Sequence, residues 1–294
     1  MEHLSKVAAE LINRLDDQGR IKFIKQKKWI GYPQAKRVLD RLDVLRDSER
    51  SERAVGMLVV GESNNGKSRT LKHFLKQNPP YLGEDNELKI PVLYVESPPE
   101  PNEKRFYEEI LDALCAPSRP TEKSDVKFQR VMNLLKKAEV RVLIIDEIHN
   151  IIAGSSTKQR VFLNVIKYIS NKLQLPIVCA GTKDALNAIS TDNQLSNRLP
   201  PYQLIEWTDN EDYLRLLASY ELITPLKKAS NLYEEPLASI ILKMSEGLIG
   251  EINEIIQLAA EKAILDGEER ITSNILANID FSSPAERKRA FRQL

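Results

Sequence analysis

The sequence has few of the residues that build metal centres and disulfide frameworks. Only two cysteines, Cys115 and Cys179, and three histidines occur in 294 residues, and the cysteines have no paired spacing. Zinc sites and disulfide scaffolds need such residues in clusters at short intervals. The composition therefore excludes a zinc-binding class and indicates a reducing compartment. His149 stands without the partners of a catalytic triad, and we interpret it as a structural residue.

An excess of charge and long hydrophobic runs are also missing. The 43 Lys and Arg residues balance 42 Asp and Glu residues, for a net charge of +1, so any nucleic-acid contact has to come from local patches. No apolar run approaches the roughly 20 residues that span a bilayer. The acids near the N-terminus argue against a signal peptide. We expect a cytoplasmic protein without a membrane partner.

Strand and helix patterns alternate through the middle of the chain. Such alternation predicts an α/β fold, with a parallel sheet and helices on both of its faces. After Trp207 the strand pattern stops and four helical segments follow, which predicts a small all-helical domain. The predicted domains are an N-terminal helical and basic extension (1–45), the α/β domain (46–207), the helical lid domain (208–280) and a basic C-terminal tail (281–294).

A glycine-rich turn lies between the first predicted strand and the helix after it. Residues 61–68, "GESNNGKS", fit the phosphate-loop (P-loop) pattern G-x-x-x-x-G-K-[ST]. Glycines let successive N–H groups turn toward an anion, Lys67 adds a charge for the β- and γ-phosphates, and the Ser68 hydroxyl suits Mg²⁺. The pattern predicts that ATP and Mg²⁺ are the cofactors. The predicted nucleotide contacts are Gly61, Glu62, Ser63, Asn64, Asn65, Gly66, Lys67, Ser68 and Arg69.

Acidic, hydroxyl and guanidinium groups follow later strands. The run "VLIIDE" places Asp146 where it can hold the Mg²⁺ water shell and Glu147 where it can polarise an attacking water. Thr182, after the fourth strand, is a candidate for contact with that water or the γ-phosphate. Arg198 precedes the fifth strand and is a candidate arginine finger toward a neighbouring subunit, with Arg160 as the competitor.

These motifs together resemble an AAA+ ATPase: a P-loop α/β core followed by a small all-helical lid domain. The stretches "WIGYPQAKRVLDRLDVL", "MLVVGESNNGKS" and "VLIIDEIHNI" further resemble the TniB/TnsC family of bacterial transposition regulators, over roughly residues 20–265. The resemblance implies a homo-oligomer, a ring or helical filament, on double-stranded DNA. It also implies recruitment of a transposase and a link to a target-selection protein, with hydrolysis resetting the assembly.

By the same resemblance, DNA-facing groups lie after the second strand and in the following loop. The matching residues are Lys104, Arg105, Lys123, Ser124 and Lys127. The acid-free stretch 20–39 and the basic tail (Arg287, Lys288, Arg289 and Arg292) are further candidates for partner contacts, and the sequence leaves open whether residues 20–39 meet DNA or protein.

One position departs from the family pattern. Lids of this class usually place an arginine after the G-x-x-G helix start, where "GLIGEINEII" has Glu251, and neither Asn253 nor Glu254 supplies that charge. We therefore expect slow hydrolysis. Two alternatives remain: a nucleotide-gated scaffold whose turnover is dispensable, and a P-loop kinase acting on a small molecule.

Overall fold

The computed structural model describes residues 2–51 and 54–293. The predicted boundary region 46–53 includes Glu52 and Arg53, and the predicted extension and tail include Met1 and Leu294. These four residues lie outside the described part of the chain. Among the described residues, the helices are all too short or too polar to cross a membrane.

A parallel sheet forms where the sequence predicts it. The strands, in chain order, are β1 (Met57–Val60), β2 (Tyr81–Leu82), β3 (Leu88–Lys89), β4 (Val92–Glu96), β5 (Val142–Asp146), β6 (Ile177–Gly181) and β7 (Pro201–Gln203). Within the described residues, β4, β5, β6, β1 and β7 lie side by side in that order, all parallel. The short β2–β3 hairpin, which the sequence analysis did not predict, is separate and antiparallel.

The order of the strands determines where the loops meet. β1 lies between β6 and β7, whereas β5 lies on the other side of β6. Because the strands are parallel, the segments after β1, β5 and β6 all leave from the same edge of the sheet. Crevices outside the carboxyl ends of such strands are where open α/β sheets bind ligands.

Helices connect the strands and continue after them. In chain order they are α1 (Lys6–Arg14), α2 (Asp17–Ile24), α3 (Pro33–Asp47), α4 (Lys67–Gln77), α5 (Glu103–Ala113), α6 (Ser124–Lys137), α7 (Ser156–Leu173), α8 (Lys183–Ser190), α9 (Asn193–Ser196), α10 (Glu211–Ile223), α11 (Leu237–Ser245), α12 (Ile249–Leu265), α13 (Ser273–Ala277) and α14 (Pro284–Gln293), with a 3₁₀ turn at Ile148–Ala153. The predicted basic tail thus contains a helix.

Helices cover both faces of the sheet, as predicted. On one face, Met57 and Val59 of β1 pack in a buried cluster with Leu42 of α3 and Phe74 of α4. On the other face, the alternate residues of β1 join apolar side chains of the later helices: Leu58, Val60, Phe106, Ile110, Val131, Leu135, Phe162 and Ile166. Alternate strand residues point to opposite faces, so a continuous apolar strand is buried on both sides.

The described residues divide into two compact units, one of residues 34–204 and one of residues 1–33 with 205–294. The first contains the five-stranded sheet. In the second, the early helix α2 is tied to the last third of the chain, because the buried Arg20 donates hydrogen bonds of 2.8 and 2.7 Å to the Glu269 carboxylate. The domain boundaries given by the sequence analysis stay predictions.

Candidate nucleotide site

The P-loop joins β1 to α4 and has a backbone that favours glycine at two positions. A Cβ on Gly61 would lie 2.9 Å from the carbonyl oxygen of Leu204. Gly66 has φ +83° and immediately precedes Lys67, the first residue of α4. A helix that starts directly after such a turn presents its unpaired N–H groups and its positive dipole end to an anion.

The middle of the loop is anchored from within the same unit. Asn65 is buried, and its Nδ2 donates a 2.8 Å hydrogen bond to the carbonyl oxygen of Leu204, just after β7. Ser63, Asn64 and Arg69 are exposed, whereas Glu62 and Ser68 are half-buried.

The ammonium group of Lys67 is folded into its own loop. Its Nζ donates to the carbonyl oxygens of Gly61 at 2.9 Å and Glu62 at 2.8 Å. Burial lowers the pKa of Lys67, and the charges of Glu147, Asp146 and Glu62 oppose that effect. Two neutral carbonyl oxygens are weaker partners for an ammonium than an anionic phosphate. The Lys67 ammonium is therefore positioned at the loop, and a phosphate can replace the two carbonyl oxygens that hold it.

Asp146 is the last residue of β5, and its side chain is buried at 1% exposure. Its Oδ1 accepts a 2.9 Å hydrogen bond from the backbone N–H of Glu147, and its Oδ2 accepts a 2.6 Å hydrogen bond from the hydroxyl of Tyr94. Tyr94 was not among the site residues predicted from the sequence. The available signal was a single polar-tipped aromatic residue in the otherwise aliphatic run "VLYV".

The backbone leaves the extended strand conformation at Glu147, directly after β5. It has φ +54°, and its side chain is 41% exposed. Nδ1 of His149 lies 3.3 Å from Oε2 of Glu147 without hydrogen-bond geometry. The carboxylate predicted to polarise water is thus accessible to solvent, and His149 is its neighbour.

Thr182 directly follows β6 and is the N-cap residue of α8. Its side chain makes no capping hydrogen bond to that helix, although threonine at this position commonly makes one. The next residue, Lys183, approaches the P-loop, with its Nζ 3.3 Å from Oε1 of Glu62. Lys183 was not among the predicted site residues. The structure therefore brings Gly61–Arg69, Asp146, Glu147 and Thr182 to one edge of the sheet.

The sequence of this chain also matches a protein family. The family model described as "Bacterial TniB protein" matches residues 20–209, more than half of the chain. The chain belongs to the TniB family. A search of curated proteins found no significant match.

Solved structures share the fold at low sequence identity. The Aeropyrum pernix ORC1 protein in complex with DNA is 14% identical, with a TM-score of 0.57 and coverage of 93% of this chain and 70% of that one. The ORC2 protein of the same organism, in ADPNP–ADP complexes, is 12% identical, with a TM-score of 0.61 and coverage of 87% and 70%. Drosophila ORC bound to DNA is 15% identical, with a TM-score of 0.59 and coverage of 89% and 64%.

The likeness confirms the predicted AAA+ fold of this TniB-family chain. The chain spans roughly two thirds of the length of these structures, from 64% to 70%.

Arg198 lies at the opposite edge of the sheet from the P-loop. Its carbonyl oxygen accepts a 2.8 Å hydrogen bond from the N–H of Gly56, which precedes β1. The five residue steps from Gly56 to Gly61 extend about 16 Å along the strand direction. The Arg198 guanidinium donates to the Oδ1 of Asn171 at the end of α7. The competitor Arg160 is exposed on α7.

The predicted DNA-facing residues fall into two groups. Arg105 and Lys123 are exposed, and the half-buried Lys104 donates a 2.7 Å hydrogen bond to the carbonyl oxygen of Pro120. The half-buried Ser124 begins α6. Lys127, in contrast, is 0% exposed, and its Nζ lies 2.8 Å from Oε1 of Glu108. This burial does not support a DNA contact by Lys127, and we leave it out of the surface proposed below.

Two regions left open by the sequence analysis pack within the helical unit. Tyr32 of the acid-free stretch is buried, with its ring centroid 5.4 Å from that of Trp207. Arg287 of α14 lies 2.5 Å from Oε1 of the buried Glu251. Lys288, Arg289 and Arg292 are exposed on the same helix.

Proposed function

We propose that this chain is an ATP-dependent, DNA-binding regulator of transposition that assembles as a homo-oligomer on duplex DNA and links target selection to transposase recruitment. One observation carries the nucleotide-dependent part: the Lys67 ammonium at the P-loop and the buried Asp146 carboxylate stand at one edge of the sheet. Membership of the TniB family supports the link to transposition.

The residues at this edge fit a nucleotide with its magnesium ion. Gly61 has no room for a side chain, α4 begins directly after the Gly66 turn, and the Nζ of Lys67 donates to two neutral carbonyl oxygens. Ser68 and Asp146 would hold Mg²⁺, through a hydroxyl and a carboxylate of the type that this ion prefers. When bound, the ion neutralises charge on the phosphates.

Hydrolysis would depend on the residues after β5 and β6. The exposed carboxylate of Glu147 would accept a proton from the water that attacks the γ-phosphorus. The Thr182 hydroxyl, which makes no helix cap, would orient that water or the phosphate. We assign Asp146 to the metal because its buried carboxylate is held by two hydrogen bonds. We assign Glu147 to the water because its carboxylate is accessible to solvent.

Arg198 would act on a neighbouring subunit. The strand β1 separates it from the P-loop of its own chain, so its guanidinium belongs to a different surface of the molecule. A second copy in a ring or filament would receive it as an arginine finger.

DNA contact is proposed for the start of α5 and the start of α6. The surface comprises Lys104, Arg105, Lys123 and Ser124. Two of the structural neighbours were determined with DNA. Cations and hydroxyls that contact phosphate oxygens bind duplex DNA without strong base preference and with a steep salt dependence.

The assembly can be tested directly. Wild-type protein is mixed with long duplex DNA and ATP over a range of salt and imaged by negative-stain microscopy. Ordered assemblies that need ATP, DNA and an intact Lys67 are expected. Protein that stays monomeric under all these conditions would refute the proposal.

The DNA surface has a matched control on one helix. Lys123 precedes α6, whereas the exposed Lys136 lies in its last turn, about 20 Å away. Lys123→Gln should weaken DNA binding and reduce the slope of log affinity against log salt by about 1, and Lys136→Gln should not. Equal effects of the two substitutions would remove this surface from the proposal.

A further inference from the structure

A contact between neighbouring strands reaches the carboxylate assigned to magnesium. Tyr94 of β4 pairs in register with Ile144 of β5, and Asp146 lies two residues further along β5. Side chains two residues apart on a strand project from the same face. The Tyr94 hydroxyl therefore meets Oδ2 of Asp146, at 2.6 Å.

The two hydrogen bonds to Asp146 define the orientation of its carboxylate. Oδ1 accepts from the backbone N–H of Glu147, and Oδ2 accepts from Tyr94. Each carboxylate oxygen can accept two hydrogen bonds, so each keeps one acceptor direction for further partners. A buried charge that accepts short hydrogen bonds has a strongly preferred position, because rotation would leave it unpaired.

Tyr94 is itself held by the helix that follows the P-loop. Lys72 of α4 places its Nζ 5.0 Å from the centroid of the Tyr94 ring and 3.5 Å from Oε1 of Glu96. The ring of Tyr94 packs against the buried cluster that contains Leu71 and Phe74 of α4. Tyr94 thus lies between the helix that carries Lys67 and Ser68 and the end of β5.

We propose that Tyr94 is a positioning residue for magnesium: its hydroxyl holds the Asp146 carboxylate in the one orientation with which Asp146 and Ser68 receive Mg²⁺. This inference rests on the proposed nucleotide binding. A tyrosine that only completes the packing would affect stability, whereas a positioning residue also affects the magnesium dependence of nucleotide binding. Groups that orient metal ligands typically contribute about 10- to 100-fold to metal affinity.

The test measures binding rather than turnover. Fluorescently labelled ADP is titrated into the full-length protein at increasing MgCl₂, starting from EDTA, and the magnesium concentration at half-maximal enhancement is recorded. For Tyr94→Phe we expect this concentration to rise about tenfold, with little change in the affinity measured in EDTA. Tyr213→Phe is the matched control, since it removes a 2.8 Å hydrogen bond from a buried tyrosine hydroxyl to the carbonyl oxygen of Ala238.

A double-mutant cycle separates positioning from packing. In an Asp146→Asn background the carboxylate is already lost, so adding Tyr94→Phe should not change the magnesium midpoint further. If Tyr94→Phe alone is unstable, Asp146→Asn is compared with the double variant, and a shift of the midpoint between these two would show that Tyr94 acts without the carboxylate. An unchanged midpoint in Tyr94→Phe, or an equal shift in both backgrounds, would overturn the role of Tyr94 while nucleotide binding stands. Wild-type protein that binds no labelled ADP would remove the proposed function and this inference with it.

Discussion

The Nζ of Lys67 lies 2.9 Å from the carbonyl oxygen of Gly61, six residues earlier in the same loop. The same nitrogen also donates to the carbonyl oxygen of Glu62. The loop therefore holds its principal cation with neutral acceptors, and a nucleotide phosphate would replace them with a charge-assisted partner. Nucleotide affinity should depend on this one side chain more than on the other lysines nearby.

Lys67→Ala should weaken ATP binding by roughly 10- to 100-fold, because a hydrogen bond to a charged group contributes about 1.5–3 kcal/mol. Titration with a fluorescent ATP analogue measures the effect. Lys76→Ala is the matched control, because Lys76 is exposed in the last turn of the same helix. Equal affinities for wild type and Lys67→Ala would contradict the assignment of the phosphate site.

Glu147→Gln should retain ATP binding and lose about 10²- to 10⁴-fold in hydrolysis, since an amide cannot act as a general base. Phosphate release and ATP affinity are measured in parallel. Glu96→Gln, at the end of the neighbouring strand β4, serves as the control. If Glu147→Gln hydrolyses ATP as fast as wild type, another group polarises the water. If it abolishes hydrolysis but retains regulated transposition, the scaffold alternative holds.

Glu62→Gln should tighten ATP binding, because it removes a negative charge from the loop that is proposed to receive phosphates. The ammonium of Lys183, 3.3 Å from Glu62, reduces that repulsion. Lys183→Gln should therefore weaken binding by up to about fivefold at low salt, and less at high salt, as expected for an exposed pair.

The two substitutions should not be additive. In a Glu62→Gln background, Lys183→Gln has no carboxylate left to screen and should have little effect on ATP affinity. An undiminished loss in that background would show that Lys183 does not act through Glu62.

Arg198→Ala alone should abolish hydrolysis, because each ATP site then lacks the arginine that the neighbouring subunit would supply. Mixtures of Arg198→Ala with Lys67→Ala protein should regain phosphate release, because some interfaces then combine an intact P-loop with an intact Arg198 from the next copy. Arg160→Ala, mixed in the same way, is the comparison. If phosphate release recovers when Lys67→Ala is mixed with Arg160→Ala but not when it is mixed with Arg198→Ala, the arginine finger is Arg160.

Glu269→Gln should destabilise the helical unit by about 1.5–3 kcal/mol at neutral pH, since the buried Arg20 loses its charge-assisted hydrogen bonds to Glu269 and keeps the carboxylate of the exposed Asp17. Burial alone would raise the pKa of Glu269, but hydrogen bonds from Arg20 and Lys227 outweigh it and lower the pKa to about 2 from an ordinary 4.5.

The sign of the pH dependence follows from that shift. The ionised carboxylate contributes its full stabilisation above about pH 4.5 and loses it as the pH falls toward 2. Denaturant melts at several pH values should therefore show the difference between wild type and Glu269→Gln shrinking in acid. A difference that stays constant from pH 7 to pH 3 would contradict the ion-pair explanation.

The local elements of the site were predictable from the sequence. The P-loop, the strand that ends at Asp146 and the strand before Thr182 appear where the apolar runs and the glycine spacing predict them. Their patterns involve residues a few positions apart, so the backbone geometry is encoded within each segment. The position of Lys127 was not predictable in this way, because its burial depends on how α6 packs against Glu108 of α5.

The sequence by itself determined the alternation of the sheet strands with helices, the phosphate loop and the acids at the end of β5, because short-range backbone preferences and periodic burial decide these features. Only the tertiary structure decided which distant groups meet. Tyr94 reaches Asp146 because β4 and β5 are neighbours in register, Lys183 reaches Glu62 because β6 lies beside β1, and Arg20 pairs with Glu269 across most of the chain. Such contacts depend on the strand order and on burial, which no short segment of the sequence contains.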